Sequence, residues 1–134
     1  MKQNDKNISN DYENHINLGI KYIKSGNIAK GITKLKYAIN LNDKNYKAYI
    51  NLANAYLLSK QIDKSIKLLF DFLNKNKTEI NVLNHLVKIC LQYKLYDKLP
   101  KIFKFNNSNQ FREKDLYYLY YAQGLFYELR FENK

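Results

Sequence analysis

The sequence predicts an all-α protein made of antiparallel helix pairs stacked one on the next. Three observations carry this. First, apolar residue types recur at an offset of 34: Leu18-Gly19, Leu52-Ala53 and Leu86-Val87; Tyr22, Tyr56 and Cys90; Leu35, Leu69 and Phe103. A fixed period of this length marks a structural unit that repeats. Second, apolar positions within each block lie three and four residues apart, the spacing of amphipathic helices. Third, the 134 residues contain one Pro and four Gly, too few for an all-β fold with a turn signal every 8–12 residues or so.

The elements follow in order. A polar lead, residues 1–10, is expected to be flexible. Ile16, Leu18, Gly19, Tyr22 and Ile23 form the first stripe, a helix at about 11–24 that ends at Ser25-Gly26-Asn27. Ile28, Ile32, Leu35, Ala38 and Ile39 form the second, at about 28–41, ended by Asn42-Asp43-Lys44-Asn45. Gly, Asn, Ser and Asp punctuate helices. The same alternation places helices at about 45–58, 62–74, 79–93 and 97–105, with a last one at about 111–130. Pro100 falls in the first turn of the sixth, where its missing N–H costs little. Residues 11–134 read as one domain, with repeats at about 12–45, 46–79 and 80–113.

These blocks resemble the tetratricopeptide repeat, whose pattern is a large residue, Leu-Gly, Tyr, then a small residue and Phe at fixed spacing. Block one supplies His15, Leu18, Gly19, Tyr22, Gly31 and Leu35; block two Tyr49, Leu52, Ala53, Tyr56, Ser65 and Leu69; block three Leu83, Leu86, Val87, Cys90, Leu99 and Phe103. The resemblance covers about residues 12–110. It departs from the pattern at Leu99, where a small residue belongs, so the third pair is expected to pack wider apart. It also departs at Asp43, Lys77 and Phe111, where the family has Pro. The resemblance implies a right-handed α-solenoid of about three repeats plus a C-terminal helix, acting as a non-catalytic protein-interaction scaffold.

The last helix starts a fourth block with a one-residue slip, which puts Ala122 at the close-approach position. Leu116 to Tyr121, Leu125, Phe126 and Leu129 make it apolar on nearly all sides. A terminal repeat normally has one polar face. Either the array continues, or this face meets another chain through Tyr117, Tyr118, Tyr121 and Phe126, or tyrosine hydroxyls let it cap the stack exposed.

Composition excludes several classes of function. No apolar run approaches the roughly 18–20 residues that span a bilayer, and residues 1–14 lack the apolar core of a signal peptide. Cys90 is the single cysteine, so no internal disulfide forms, and the expected setting is cytoplasmic. Two histidines and one cysteine do not complete a usual structural zinc site. There is no phosphate loop or nucleophile elbow. His15 replaces a packing aromatic, and His85 has no acidic neighbour in register. No catalytic residue, metal or cofactor is expected.

The net charge is +11. Lys, Asn, Ile and Tyr together make up about half the chain, and all have A/T-rich codons, so part of this charge is compositional. The rest is periodic: Lys30, Lys64 and Lys98 lie 34 apart, as do Lys60 and Lys94, and Lys67 and Lys101. Such rows suit an anionic surface or nucleic acid. Asp63 and Asp97 partly neutralise them, however, and Arg112 and Arg130 are isolated, so nucleic acid is disfavoured.

By resemblance, the first helix of each pair lines a concave groove for a peptide or helix of another protein. The first helix contributes Glu13, Ile16, Asn17, Ile20 and Lys24. The third contributes Lys47, Ile50, Asn51, Asn54 and Leu58, and the fifth Asn81, Asn84, His85, Lys88 and Gln92. Asn17, Asn51 and His85 form a ladder whose asparagines both donate and accept. Some family members clamp a chaperone's C-terminal carboxylate with two Lys, two Asn and an Arg. Here those positions include Ile16, Ile20, Asn81 and His85, and only Asn51 matches, so that ligand is rejected.

Overall fold

The computed structural model of the chain describes residues 2–106 and 113–132. Every regular element among them is helical: α1 (Lys2–Lys24), α2 (Ile28–Leu41), α3 (Tyr46–Leu58), α4 (Ile62–Lys75), α5 (Ile80–Gln92), α6 (Leu99–Phe103) and α7 (Tyr117–Glu132). Phe111, Arg112 and the Arg130 side chain lie outside the described residues.

Three boundaries differ from the sequence reading. Helix α7 starts at Tyr117 rather than near residue 111, and Glu113–Leu116 before it form a 3-10 turn. Helix α1 starts at Lys2 rather than near residue 11, so the described part of the polar lead is helical. Once the packed part of α1 has nucleated, each added residue costs little. Residues 2–10 hold no Pro or Gly to stop it, and Asp5 in the first turn suits the N-terminal end of the helix dipole. The sixth helix is not continuous over 97–105. It is five α-helical residues between 3-10 turns at Tyr96–Lys98 and Lys104–Asn106. Pro100 sits in its first turn, and Leu99 and Ile102 are its buried anchors.

The turn inside each repeat is the same motif three times. Gly26, Lys60 and Lys94 occupy the left-handed region at φ 89°, 61° and 55°. Behind them the N–H groups of Asn27, Gln61 and Leu95 donate to the carbonyls of Tyr22, Tyr56 and Cys90, each at 2.8 Å. This is the paired hydrogen-bond pattern that closes a helix C-terminus. Next-helix starts are capped by side chains: Asn27 accepts from the Lys30 N–H, Asn45 from Lys47 and Glu79 from Asn81.

The chain forms two compact units, residues 1–72 and 73–134. In the first, Tyr12, Ile16, Leu35, Ala38, Leu52 and Tyr56 belong to one buried cluster, with Ile20, Ile23 and Ile32 packed against it. Helices α1 and α2 meet through Gly19 and Gly31. A Cβ on Gly31 would lie 2.5 Å from Ile23 Cγ1 and 2.9 Å from the Gly19 carbonyl oxygen. In the second unit, α5, α6 and α7 pack together around Leu83, Leu86, Val87, Leu99, Ile102 and Leu119, all fully buried.

Candidate functional site

The face shared by α1 and α3 is the first candidate. Lys47 Nζ lies 3.5 Å from Glu13 Oε1, so residues 34 apart in sequence are neighbours here and the face runs across both repeats. Tyr12 ties the two helices together from beneath. Its hydroxyl accepts the Ala48 N–H at 3.2 Å and donates to the Asn45 carbonyl at 3.5 Å. Sequence reading passed over Tyr12, although its spacing of four from Ile16 places it on the buried stripe.

The expected groove residues divide on this face. Asn17, Lys24, Lys47 and Asn54 are exposed, and Ile20, Ile50 and Asn51 are half-buried. The Asn51 amide donates to the Lys47 carbonyl one turn back at 2.8 Å. Leu58 is 60% exposed. Ile16 is only 3% exposed and shares the buried core cluster with Tyr12, Leu52 and Tyr56, which corrects its reading as a groove anchor.

The corresponding face of α5, within the second unit, is already engaged. Asn84 donates to the Asp115 carbonyl at 3.1 Å, and Lys88 Nζ sits 4.3 Å from the centre of the Tyr118 ring. At that distance a cation is attracted to the ring face. His85 is half-buried, and burial, aided by the Lys88 ammonium, holds its imidazole below the usual range. His15 packs against Tyr37 with ring centres 4.4 Å apart, and its Nδ1 donates to the Asp11 carbonyl. The Cys90 thiol is buried, and that burial pushes it up to about 11, so at neutral pH it carries no thiolate to attack or ligate with.

Three lysines of the rows have partners close by. Lys30 Nζ lies 5.7 Å from the Tyr22 ring centre and Lys64 Nζ 5.8 Å from that of Tyr56. Each lysine reaches back across its repeat's turn to the tyrosine in the last turn of the preceding helix. Lys60 and Lys94 are the left-handed turn residues that match Gly26. Lys67 pairs with Asp71 one helical turn on, at 2.9 Å. Lys98, the third member of the row, ends the 3-10 turn Tyr96–Lys98 and is half-buried.

The tyrosines of α7 also divide. Tyr118 lies under Lys88, and Phe126 meets Phe103 edge to face at 6.0 Å. Tyr117, Tyr120 and Tyr121 point outward and, with Lys114, line an open cleft of about 700 Å³. Ala122 is fully buried and Gly124 exposed, in line with the slipped register. Tyr120 and Lys114 were missing from the sequence-based surface because an all-round apolar helix does not reveal which side its neighbours cover. Among the described residues, no three His, Cys, Asp or Glu side chains gather to hold a metal. No described helix is long and apolar enough to cross a membrane.

No curated protein matches the chain. A family model, the tetratricopeptide repeat, matches residues 22–89. That segment runs from the end of α1 through most of α5 and spans half of the sequence. With half of its length matched in this way, the chain belongs to the tetratricopeptide-repeat family.

Proposed function

We propose that the protein is a non-catalytic binding module that holds a peptide or helix of a partner protein against the joint face of α1 and α3. Repeats of this family generally mediate protein–protein interaction; which face serves here is our reading. The observation that carries it is an exposed apolar and amide surface running across two repeats. Leu58 is 60% exposed, with Ile20 and Ile50 half-buried beside Asn17 and Asn54. From Lys47 to Leu58, at about 1.5 Å per residue, the α3 part of this face extends roughly 16 Å, room for one short apolar-anchored segment. Apolar anchors supply affinity, and amides fix the register of a bound backbone. Lys24 favours an acidic flank on the ligand. A reducing cytoplasm is the setting this reading assumes.

The test is selection of binding peptides from a displayed library, followed by affinity measurement with variants. Replacing Leu58→Glu together with Asn54→Ala is expected to weaken binding at least about tenfold, since interface energy concentrates in a few central residues. The pair Lys30→Ala and Lys64→Ala, on another surface, is expected to leave affinity unchanged. Affinity that is indifferent to the α3 substitutions rejects the reading.

A further inference from the structure

The two ends of the α1–α3 face differ in charge. Short turns join α1 to α2, α2 to α3 and α3 to α4, so α1 and α3 run in the same direction and finish at one edge. The face ends there at Lys24 and Leu58, the last residues of their helices. From 21 to 30 and from 58 to 64 the charged residues are Lys21, Lys24, Lys30, Lys60, Asp63 and Lys64, all of them exposed. Lys30 and Lys64 lie back over Tyr22 and Tyr56 on another surface, and Asp63 stands next to Lys64 in sequence. That leaves Lys21, Lys24 and Lys60 at the end of the face, with no ion-pair partner among the described residues. Each turn brings one helix C-terminus and the next N-terminus together, so the helix dipoles oppose each other and the side chains set the sign. At the other end Lys47 is paired with Glu13 at 3.5 Å. From 11 to 13 and from 42 to 47 the charged residues are Asp11, Glu13, Asp43, Lys44 and Lys47, so carboxylates outnumber ammonium groups there.

We propose that the partner segment held on this face is polarised. It is apolar where it crosses Ile20, Ile50 and Leu58, and it carries a short run of Asp or Glu where it passes Leu58 onto Lys21, Lys24 and Lys60. This rests on the α1–α3 face being the binding face, and adds which end of the ligand is charged and with which sign. Lysine suits such a run, because its ammonium is a point charge on a flexible stem that follows a carboxylate without a fixed fork geometry. Complementary charge at one end, with Asp11, Glu13 and Asp43 repelling the same run at the other, fixes the direction in which the segment lies.

A peptide selected from the displayed library is the probe, synthesised bare, with a triglutamate tail at one end, and with the same tail at the other. At about 0.1 M salt one tailed form is expected to bind the full chain roughly tenfold tighter than the bare peptide, and the other no tighter. The gain is expected to vanish at about 1 M salt, where the Debye length falls to about 3 Å. Lys21→Gln, Lys24→Gln and Lys60→Gln together are expected to erase the gain and to leave the bare peptide's affinity unchanged. Lys36→Gln with Lys44→Gln, both exposed but away from this edge, is expected to preserve it. Leu58→Glu with Asn54→Ala acts on the bare peptide and so reads the face by itself. A face intact by that measure with no tail effect overturns the acidic polarity alone. A tail that helps equally at both ends, or survives the triple substitution, reports only the chain's overall positive charge and overturns the proposal too. If selection yields no binder, acetyl-hexaglutamate amide followed by backbone amide shifts replaces the peptide. Saturable shifts confined to residues 21–26 and 58–61 support the assignment, and their absence or spread over every lysine-bearing surface overturns it.

Discussion

In the first repeat, α1 and α2 meet through Gly19 and Gly31, with no side chain at either position. In the third repeat the same register positions hold Val87 and Leu99, both fully buried. The second repeat lies between them, with Ala53 and Ser65, also fully buried. The partner helices differ accordingly: α2 has 14 residues and α6 has five. One repeat closes on glycine backbone over a long helix, whereas the other buries two branched side chains over a short one. Interiors pack to the density of organic crystals, so each solution is complete in itself, and the two should fail in opposite ways.

The third repeat should suffer most from removal of atoms. Leu99 is fully buried and is one of the two buried anchors of a five-residue helix. Leu99→Ala is expected to cost about 2–5 kcal/mol, the range for a buried leucine that leaves a cavity. Hydrogen exchange should show the loss in α5 and α6 first, because repeat units open by neighbourhood. Equal loss of protection in α1 and α2 would count against this division.

The first repeat should suffer from addition. Gly31→Ala gains about 1 kcal/mol in helix propensity. Its new methyl, however, would sit 2.5 Å from Ile23 and 2.9 Å from the Gly19 carbonyl. A backbone oxygen cannot swing aside, so overpacking of about 1–3 kcal/mol is expected to exceed the gain. Thermal unfolding should show a lowered midpoint. An unchanged or raised midpoint would mean that α1 and α2 separate without cost.

How much of this was legible in sequence differs by feature. Gly19, Gly31 and their counterparts were readable because a 34-residue period exposes a position that changes size while its neighbours keep their type. The period of Lys30 and Lys64 was equally visible, but the tyrosine contact of each was not. It depends on the intervening turn carrying each lysine back over Tyr22 or Tyr56, and a linear spacing of eight does not show that. Ile16 was misplaced because its stripe borders both the groove and the core, and only the position of α3 decides between them. In α7 apolar residues on nearly every side concealed the boundary between the face under Lys88 and Phe103 and the face towards solvent. The early start of α1 was hidden for another reason: a solvated polar helix has no apolar stripe to announce it.

The smallest expected effect compares the repeats at their turns. Gly26 takes φ 89° without a Cβ, whereas Lys60 and Lys94 hold the same conformation with one. The left-handed region costs an ordinary L-residue roughly 1–2 kcal/mol. The hydrogen bonds behind the turn are equally short in all three repeats, so the second and third carry this strain without a shorter bond to offset it. Lys60→Gly should therefore stabilise the protein, less what glycine adds to the freedom of the unfolded chain. A net gain of about 0.5–1 kcal/mol is expected, read as a rise in the urea midpoint at constant slope. Gly26→Lys should reverse the sign in the first repeat. If Lys60→Gly instead destabilises, then the Lys60 side chain contributes more than its backbone costs, and the three turns are not equivalent.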